Sequence, residues 1–421
     1  MFKGEKLLAC METFAVGKKE LQEIAAAFRY DMECALQGKE FSSLRLFPSF
    51  LSLPTGKEQG KYAALDFGGT SIKASLLELD GRGGCQVKKS CSRLLHDGEG
   101  YDYSGGETTA EELFDFLAAI IAELLEGNQQ EQVLLGHTFS YAVEQKDCTD
   151  GRLLRWAKEI AVKGVEGELV NELLTKALRR AGYENVKPCV ILNDTVAALL
   201  AAAYGQPETK IASIYATGFN ICCFEPHPGE QPPQIINLEA GNFLKLAPNK
   251  YDNLVDEHSE QPGRQRLEKM VSGRYLGELY LEALTDILGF RPKRKISSED
   301  LAAIIETGGQ EILAAAAGQN LTAEEYDGLQ KLAAAVVSRS ARLVAASYAG
   351  VLWHLGGKGK VQPQNIAIDG SVYEKMPLIE TNLQMALKEI LGEEAEGITL
   401  SLVKGGSAAG AAIAAAMTRA E

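Results

Sequence analysis

"KYAALDFGGTSIKASLLELDG", residues 61–81, decides how the chain is read. An apolar run from Ala63 to Phe67 stops at Gly68-Gly69-Thr70. A second run, Ile72 to Leu79, follows and ends at Asp80-Gly81. Two strands joined by a tight turn account for this pattern. Glycines let a backbone pass close to a ligand, and successive N–H groups in such a turn form an anion pocket. Thr70 adds a hydroxyl, and Asp66 is placed to hold Mg²⁺ through water. The same residues also suit a plain hairpin with a flexible tip, because short Gly motifs match often.

The pattern recurs. IASIYATGFNICCFE repeats strand, Gly turn, strand, with Ala216-Thr217-Gly218 at its tip and Asn220 beyond it. VKPCVILNDTVAALLAAAYG runs strand, polar turn, helix. The stretch 264–350 reads as mostly helical, and IAIDGSVYEKMPLIETNLQMALKEIL as strand, turn, helix. ITLSLVKGGSAAGAAIAAAMTRA closes with a strand, a Gly turn and an Ala-rich helix. A hairpin followed by alternating strands and helices, twice over, predicts an α/β fold of two related lobes facing a cleft.

The bulk composition agrees. A chain of 421 residues, 46% hydrophobic, outgrows a single core. Its net charge of -14 is a poor match for nucleic acid or an anionic membrane, which need clustered Lys and Arg. Eight scattered cysteines with no C-x-x-C pair read as reduced thiols in a core, and so as cytoplasmic. The five isolated histidines suggest no zinc site. The N-terminal MFKGEKLLACMETF has charges breaking its apolar run, unlike a signal peptide, and no stretch reaches membrane-span length.

Asn193-Asp194-Thr195 stands where a strand gives way to a helix. Such residues are ordinary N-caps, yet a carboxylate at that strand end is also where α/β proteins meet ligands. Glu239 and Glu268 are each able to accept hydrogen bonds from a polyol, or to be surface acids. Asp369-Gly370-Ser371 and Gly405-Gly406-Ser407 are late Gly turns, the second opening a helix, which suits an anion or nucleotide. No Walker loop, no G-x-G-x-x-G after the first strand and no G-x-S-x-G elbow is present.

Taken in order, these pieces resemble the hexokinase family, within the sugar-kinase, Hsp70 and actin superfamily. LFPSFLSLPTGKEQGKYAALDFGGTSIK is similar to the family's opening, GHTFSYAVEQ to its FTFSFP-x-x-Q segment, and LNDTVAALLAAAY to its NDT segment. NLEAGNF is similar to its EWG segment, and PGRQRLEKMVSGRYLGEL to NPG-x-Q-x-x-EKM-x-SG-x-YLGE. AIDGSVYEKMP and GGSAAGAAIAAA are similar to the late adenosine segments. Five departures stand out. Phe139-Ser140-Tyr141-Ala142 replaces FSFP, and Ala157 replaces a sugar-binding threonine. Phe219 and Ala240 alter the GTG-T-N and EWG segments, and Ala409 replaces a late lysine.

The resemblance implies a two-lobed ribonuclease H-like fold, with residues 62–196 plus 406–421 as the small lobe and 1–61 plus 197–405 as the large one. It implies ATP-dependent phosphorylation of a hexose, glucose foremost, at the 6-hydroxyl, with ATP and Mg²⁺ and no nucleic-acid or membrane partner. The expected state is a monomer or homodimer. Asp194 would be the base, with Lys158 beside it in catalysis. Ser140, Lys158, Asn193, Asn220, Glu239 and Glu268 would hold the sugar, supported by Gln265. Asp66, Gly68, Gly69, Thr70 and Lys73 would face phosphates and Mg²⁺, and Thr217 and Gly218 the nucleotide phosphates. Asp369, Gly370, Ser371 and Ser407 would lie near the adenosine. Two alternatives stand beside this reading: a non-catalytic sugar or nucleotide sensor on the same scaffold, and a superfamily ATPase acting on proteins.

Overall fold

The computed structural model describes residues 4–96, 98, 100–126, 129–156, 160–227, 229, 231–357 and 360–419. Its frame is two sheets built to one plan. The first contains β2 (Gln59–Phe67), β3 (Ser71–Asp80), β4 (Cys85–Leu94), β5 (Val133–Phe139) and β8 (Val186–Leu192), in the order β4-β3-β2-β5-β8. The second contains β1 (Phe47–Pro48), β9 (Ile211–Tyr215), β10 (Phe219–Glu225), β11 (Gln234–Asn237), β12 (Gln364–Asp369) and β13 (Ile398–Leu402), in the order β1-β11-β10-β9-β12-β13. In each, an antiparallel meander of three strands carries two parallel strands on its first member. The recurring Gly-turn hairpin is thus the sequence signature of one sheet plan used twice.

Side chains alternate across a strand, so a sheet covered on both faces needs apolar residues at both parities. On β2, Ala63, Leu65 and Phe67 pack under α3 (Ala110–Leu125) and α4 (Val170–Arg180). Tyr62 and Ala64 meet the opposite layer, made by α5 (Asp194–Gly205) and α14 (Gly406–Met417). α14 leans on β2 and β5, while α5 leans on β9 and β10. The pair therefore lies between the two sheets. They meet backbone to backbone: a Cβ on Gly410 would lie 2.0 Å from the carbonyl oxygen of Ala197. One on Gly136, in β5, would lie 2.0 Å from that of Ala411. The alanines of these helices are a packing requirement as well as a helix preference.

The larger lobe is mostly helical outside its sheet. α1 (Gly4–Glu12), α2 (Lys18–Leu36), α6 (Lys250–His258), α7 (Arg266–Val271), α8 (Gly273–Leu288), α9 (Ser298–Thr307) and α10 (Gln310–Ala317) surround α11 (Ala323–Gly356). α12 (Ser371–Lys375) and α13 (Ile379–Leu391) follow β12. The Ala-rich stretch 301–350 finds its partners here, since α11 packs along α2 and α13. Thr322 and Glu325 form a capping box at its start. Arg339 of α11 is buried and forks onto Asp252 of α6, with Nη1 to Oδ1 at 2.8 Å and Nη2 to Oδ2 at 2.6 Å. Removing one partner would strand the other charge away from water.

Three elements depart from the sequence reading. The charged N-terminal run forms α1, burying Leu7 and Cys10 three residues apart. β4 is a strand although nearly every residue on it is exposed or half-exposed. A short hairpin, β6 (Val143–Gln145) and β7 (Gly151–Leu153), occupies what reads as loop. The thiols are also not all in the core: Cys85 is exposed and Cys91 and Cys148 are half-buried, though all eight are free.

On α11, His354 Nε2 lies 2.6 Å from Glu225 Oε2 and Nδ1 lies 3.6 Å from Glu33 Oε1. Burial alone would lower the imidazole's pKa, but the Glu225 hydrogen bond and the charges of Glu225 and Glu33 hold it above its ordinary value. Burial likewise opposes the Glu225 anion, yet His354 and the His227 N–H hold that pKa below its ordinary value. A raised folded pKa stabilises below the unfolded value, about 6.5 for His, and that stability is lost as pH rises through the folded one. The depressed Glu225 stabilises above its unfolded value, about 4.3, and that is lost as pH falls. Denaturant unfolding across pH should show the parent ahead of His354→Gln near about pH 6, with the gap narrowing in both directions. At the helix crossing, Gly410→Val should cost about 3 kcal/mol of unfolding free energy, read from the same titrations.

Candidate active site

Asp194 is the first residue of α5 and Asn193 is its N-cap. The Thr195 N–H donates to Asn193 Oδ1 at 2.9 Å and to Asp194 Oδ1 at 2.8 Å. The Asn193 side-chain oxygen serves the cap, and its amide nitrogen is a further donor. Asp194 stands half-buried at the positive end of the helix, where an anion is favoured. Its charge, after burial, raises the pKa of groups on four other elements. These are Tyr141 after β5, Cys222 on β10, Glu239 after β11 and Asp369 at the end of β12. The carboxylate thus lies within electrostatic reach of both sheets.

The β2–β3 register closes with Phe67 opposite Ile72 and Asp66 opposite Lys73. The Gly68 N–H donates to Ser71 O at 3.2 Å, and the Leu95 N–H ties the far side to Thr70 O at 3.0 Å. Alternation puts Asp66 on the face of Tyr62 and Ala64, toward α14. Lys73 and Thr70 are exposed, while Gly68 and Gly69 are half-buried. Ser140 follows β5 and is half-buried beside Tyr141. Lys158, with Ala157 and Glu159, lies outside the described residues.

The second turn, Ala216-Thr217-Gly218, is pinned from below. The Gly273 and Arg274 N–H groups at the start of α8 donate to Ala216 O at 2.8 Å and Thr217 O at 3.1 Å. That leaves the Thr217 side chain exposed. A Cβ on Gly218 would press to 3.2 Å from Glu268 Oε2.

Beyond it lies a cluster of amides and carboxylates. Asn220 and Asn237 occupy β10 and β11 with the parity of Cys222 and Ile235, whose side chains face α5. Asn220 Nδ2 donates to Asn237 Oδ1 at 2.8 Å, and Asn237 Nδ2 to Glu239 Oε1 at 2.8 Å. Asn220 Oδ1 accepts from the Ala240 N–H at 3.1 Å. Glu239 sits at φ 46°, a left-handed backbone that few non-Gly residues adopt. Burial raises its pKa most, and the charges of Asp194 and Glu268 add to that, while Asn237 and Asn220 oppose it. Glu268, on α7, accepts from the Phe219 N–H at 3.1 Å. Gln265 takes φ 50° at the start of α7. Asn237 escaped the sequence reading. The signal was there, since Ile235 and Asn237 share one face of a strand and the next residue but one is Glu239.

Asp369 has the parity of Ala367, again toward α5 and α14. Its Oδ2 accepts from the Gly406 N–H at 3.2 Å. Burial, then the charge of Asp194, pushes its pKa up to about 6. Gly370 is held against Tyr215, where a Cβ would lie 2.4 Å from the carbonyl oxygen, and Ser371 is exposed beyond it. The Ser407 carbonyl, in the first turn of α14, accepts from Thr138 Oγ1 at 2.9 Å. A surface pocket of about 400 Å³ is lined by Leu387, Ile398 and Leu400 and by none of these residues.

Two sheets of one plan, a helix pair between them and Gly turns on both sides define a two-lobed α/β fold of the actin-like class. Comparison with known proteins narrows this. Residues 6–204 and 210–417 match two successive hexokinase family models. Hexokinase-1 of Oryza sativa subsp. japonica is 32% identical over 96% of this chain and 89% of its own. Hexokinase-1 of Schizosaccharomyces pombe is 32% identical over 87% and 81%. A hexokinase crystal structure superposes with a TM-score of 0.87 at 30% identity, covering 98% of this chain and 99% of that one. The hexokinase from Schistosoma mansoni complexed with glucose gives 0.83 at 27% identity, covering 98% of each. The chain belongs to the hexokinase family, and its activity is ATP-dependent phosphorylation of a hexose. Asn237→Ala should raise the hexose KM about tenfold and leave the ATP KM within about twofold, measured by coupled ADP release.

Proposed function

We propose that the preferred acceptor is the 6-hydroxyl of glucose and that Asp194 is the base that orients and deprotonates it. One observation carries this reading: Asp194 opens α5, and α5 packs on β5 of one sheet and on β10 and β11 of the other, which bear Asn220 and Asn237. A sugar meeting Ser140, Asn193 and Asp194 on one side and Asn220, Glu239 and Glu268 on the other bridges the lobes. Lys158 joins the first group by resemblance. Several part-buried groups matched to hydroxyls discriminate, since a missing partner leaves each unpaired.

Phosphoryl transfer has a loose transition state, so positioning and charge neutralisation matter more than a strong base. With the Thr195 N–H on its Oδ1, Asp194 has Oδ2 to offer the hydroxyl. Gly68, Gly69 and Thr70 with Lys73, and Thr217 and Gly218 opposite, are the groups for the phosphates. Gly370 and Ser371, with Asp369 and Ser407 beneath, border the adenosine. Among the described residues no set of three His, Cys, Asp or Glu side chains is arranged to hold a metal ion. A Mg²⁺ brought by ATP would keep several waters, and Asp66 would hold it through one of them. The ion's contribution is to neutralise phosphate charge.

Water carries the same nucleophilic group as the sugar. Closure of a lobe of residues 62–196 plus 406–421 onto one of 1–61 plus 197–405 only when sugar bridges them would exclude it. The eight free thiols support a cytoplasmic setting. Among the described residues, no helix is long and apolar enough to cross a membrane. The loss of the family threonine at Ala157 and lysine at Ala409 is what a second reading, a sugar sensor, would draw on, and the intact Asp194 opposes it.

A panel of hexoses with ATP and Mg²⁺ separates the two. Glucose should give the highest kcat/KM, and activity on none with sugar binding intact would favour the sensor. Asp194→Ala should lower kcat by roughly 10³-fold while glucose binding weakens far less, and a variant as fast as the parent would refute the base.

A further inference from the structure

We propose that the Tyr141 hydroxyl is a positioning group, which holds the Gly68–Gly69 peptide in the one orientation that presents the Gly69 N–H to the nucleotide phosphates. The proposal deepens the phosphoryl-transfer reading above and rests on it for what occupies that side of the turn.

Tyr141 Oη donates to the Gly68 carbonyl at 3.3 Å. A trans peptide is a rigid plane in which C=O and N–H point in opposite directions. Fixing the Gly68 carbonyl toward Tyr141 therefore aims the Gly69 N–H at the other side of the turn. The peptide between two glycines is the one in this turn most able to flip, because neither flanking residue has a Cβ to object. A cradle made of backbone N–H groups works only if they are already aimed. The hydroxyl supplies what the glycines lack.

The ring that carries the hydroxyl is itself held on several sides. Trp156 meets it edge-on at 5.0 Å and 90°, Phe139 lies at 5.1 Å and Phe67 at 5.7 Å. Phe67 and Phe139 are paired neighbours on β2 and β5, so the hydroxyl is referenced to the same sheet that bears the turn. Burial raises the phenol's pKa, and the charge of Asp194 adds to it, so the group stays a neutral donor throughout the working range. Ser140 precedes it in the chain, so one short segment touches the sugar side and the phosphate side together. The FSFP of the resembling family has phenylalanine here, which keeps the ring and lacks the hydroxyl.

Tyr141→Phe removes the donor and keeps the stack. Its KM for ATP with Mg²⁺, and its Kd for a non-hydrolysable ATP analogue in the presence of glucose, should each rise about tenfold. The hexose KM and the Tm should remain those of the parent. Tyr141→Leu, which breaks the stack as well, should raise the hexose KM too. Parent-like nucleotide constants in Tyr141→Phe would overturn the proposal, as would a hexose KM and Tm that shift along with them. If the parent released no ADP with any hexose, the phosphoryl-transfer reading would fail, while the analogue Kd of the variant would still decide the role of Tyr141.

Discussion

The contact on which the rest depends is the crossing of α5 and α14. At Gly410 the two backbones are as close as atoms allow, and Gly136 repeats the device between α14 and β5. At that point no side chain separates the two helices, and the small residues around it leave little to rotamer choice. The consequence reaches the chemistry directly. The first residue of α5 is Asp194, and the first turn of α14 presents Gly406 to Asp369. Both ends of the pair open at the same place, so the packing that joins the sheets also gathers the carboxylates.

Gathering anions has a cost, and the structure shows how it is met. Asp194 lies at a helix N-terminus, Asp369 accepts a backbone N–H, and Glu239 is held by two asparagines. Glu239 and Asp369 nevertheless have raised pKa values, with burial the chief cause. The region is electrostatically strained before any substrate arrives, and neutral hydroxyl donors and a bound cation are the partners that relieve it. That is a property of the arrangement as a whole, and on the function proposed above it would favour polyols and metal-bound phosphate over free anions.

How much of this was legible depended on whether a residue's role left a local trace. The hairpin at 61–81 carried a trace in its alternation and glycines, and its recurrence at Ile211–Glu225 exposed the duplicated plan. β4 carried none, because an edge strand with no buried face has no alternation to read. Asp194 was ambiguous between cap and ligand for a physical reason: both uses want an oxygen at the same helix end. Asn237 left a local trace in its place two residues before Glu239, but its tie to Asn220 comes from strand pairing that local periodicity does not specify. Tyr141 was visible only as a departure from FSFP, and its hydrogen bond to Gly68 joins segments 73 residues apart.

β4 has a meaning of its own. An outermost strand leaves a row of backbone donors and acceptors without a neighbour, which is a template for recruiting another chain. Lys88, Lys89 and Arg93 stud this one, and they are engaged by Glu78, Glu126 and Glu123. Two such borders brought side by side would have to accommodate facing cations whose counter-ions already belong to their own molecule. The smaller sheet thereby carries a built-in deterrent to fibril growth, independent of anything the cleft does.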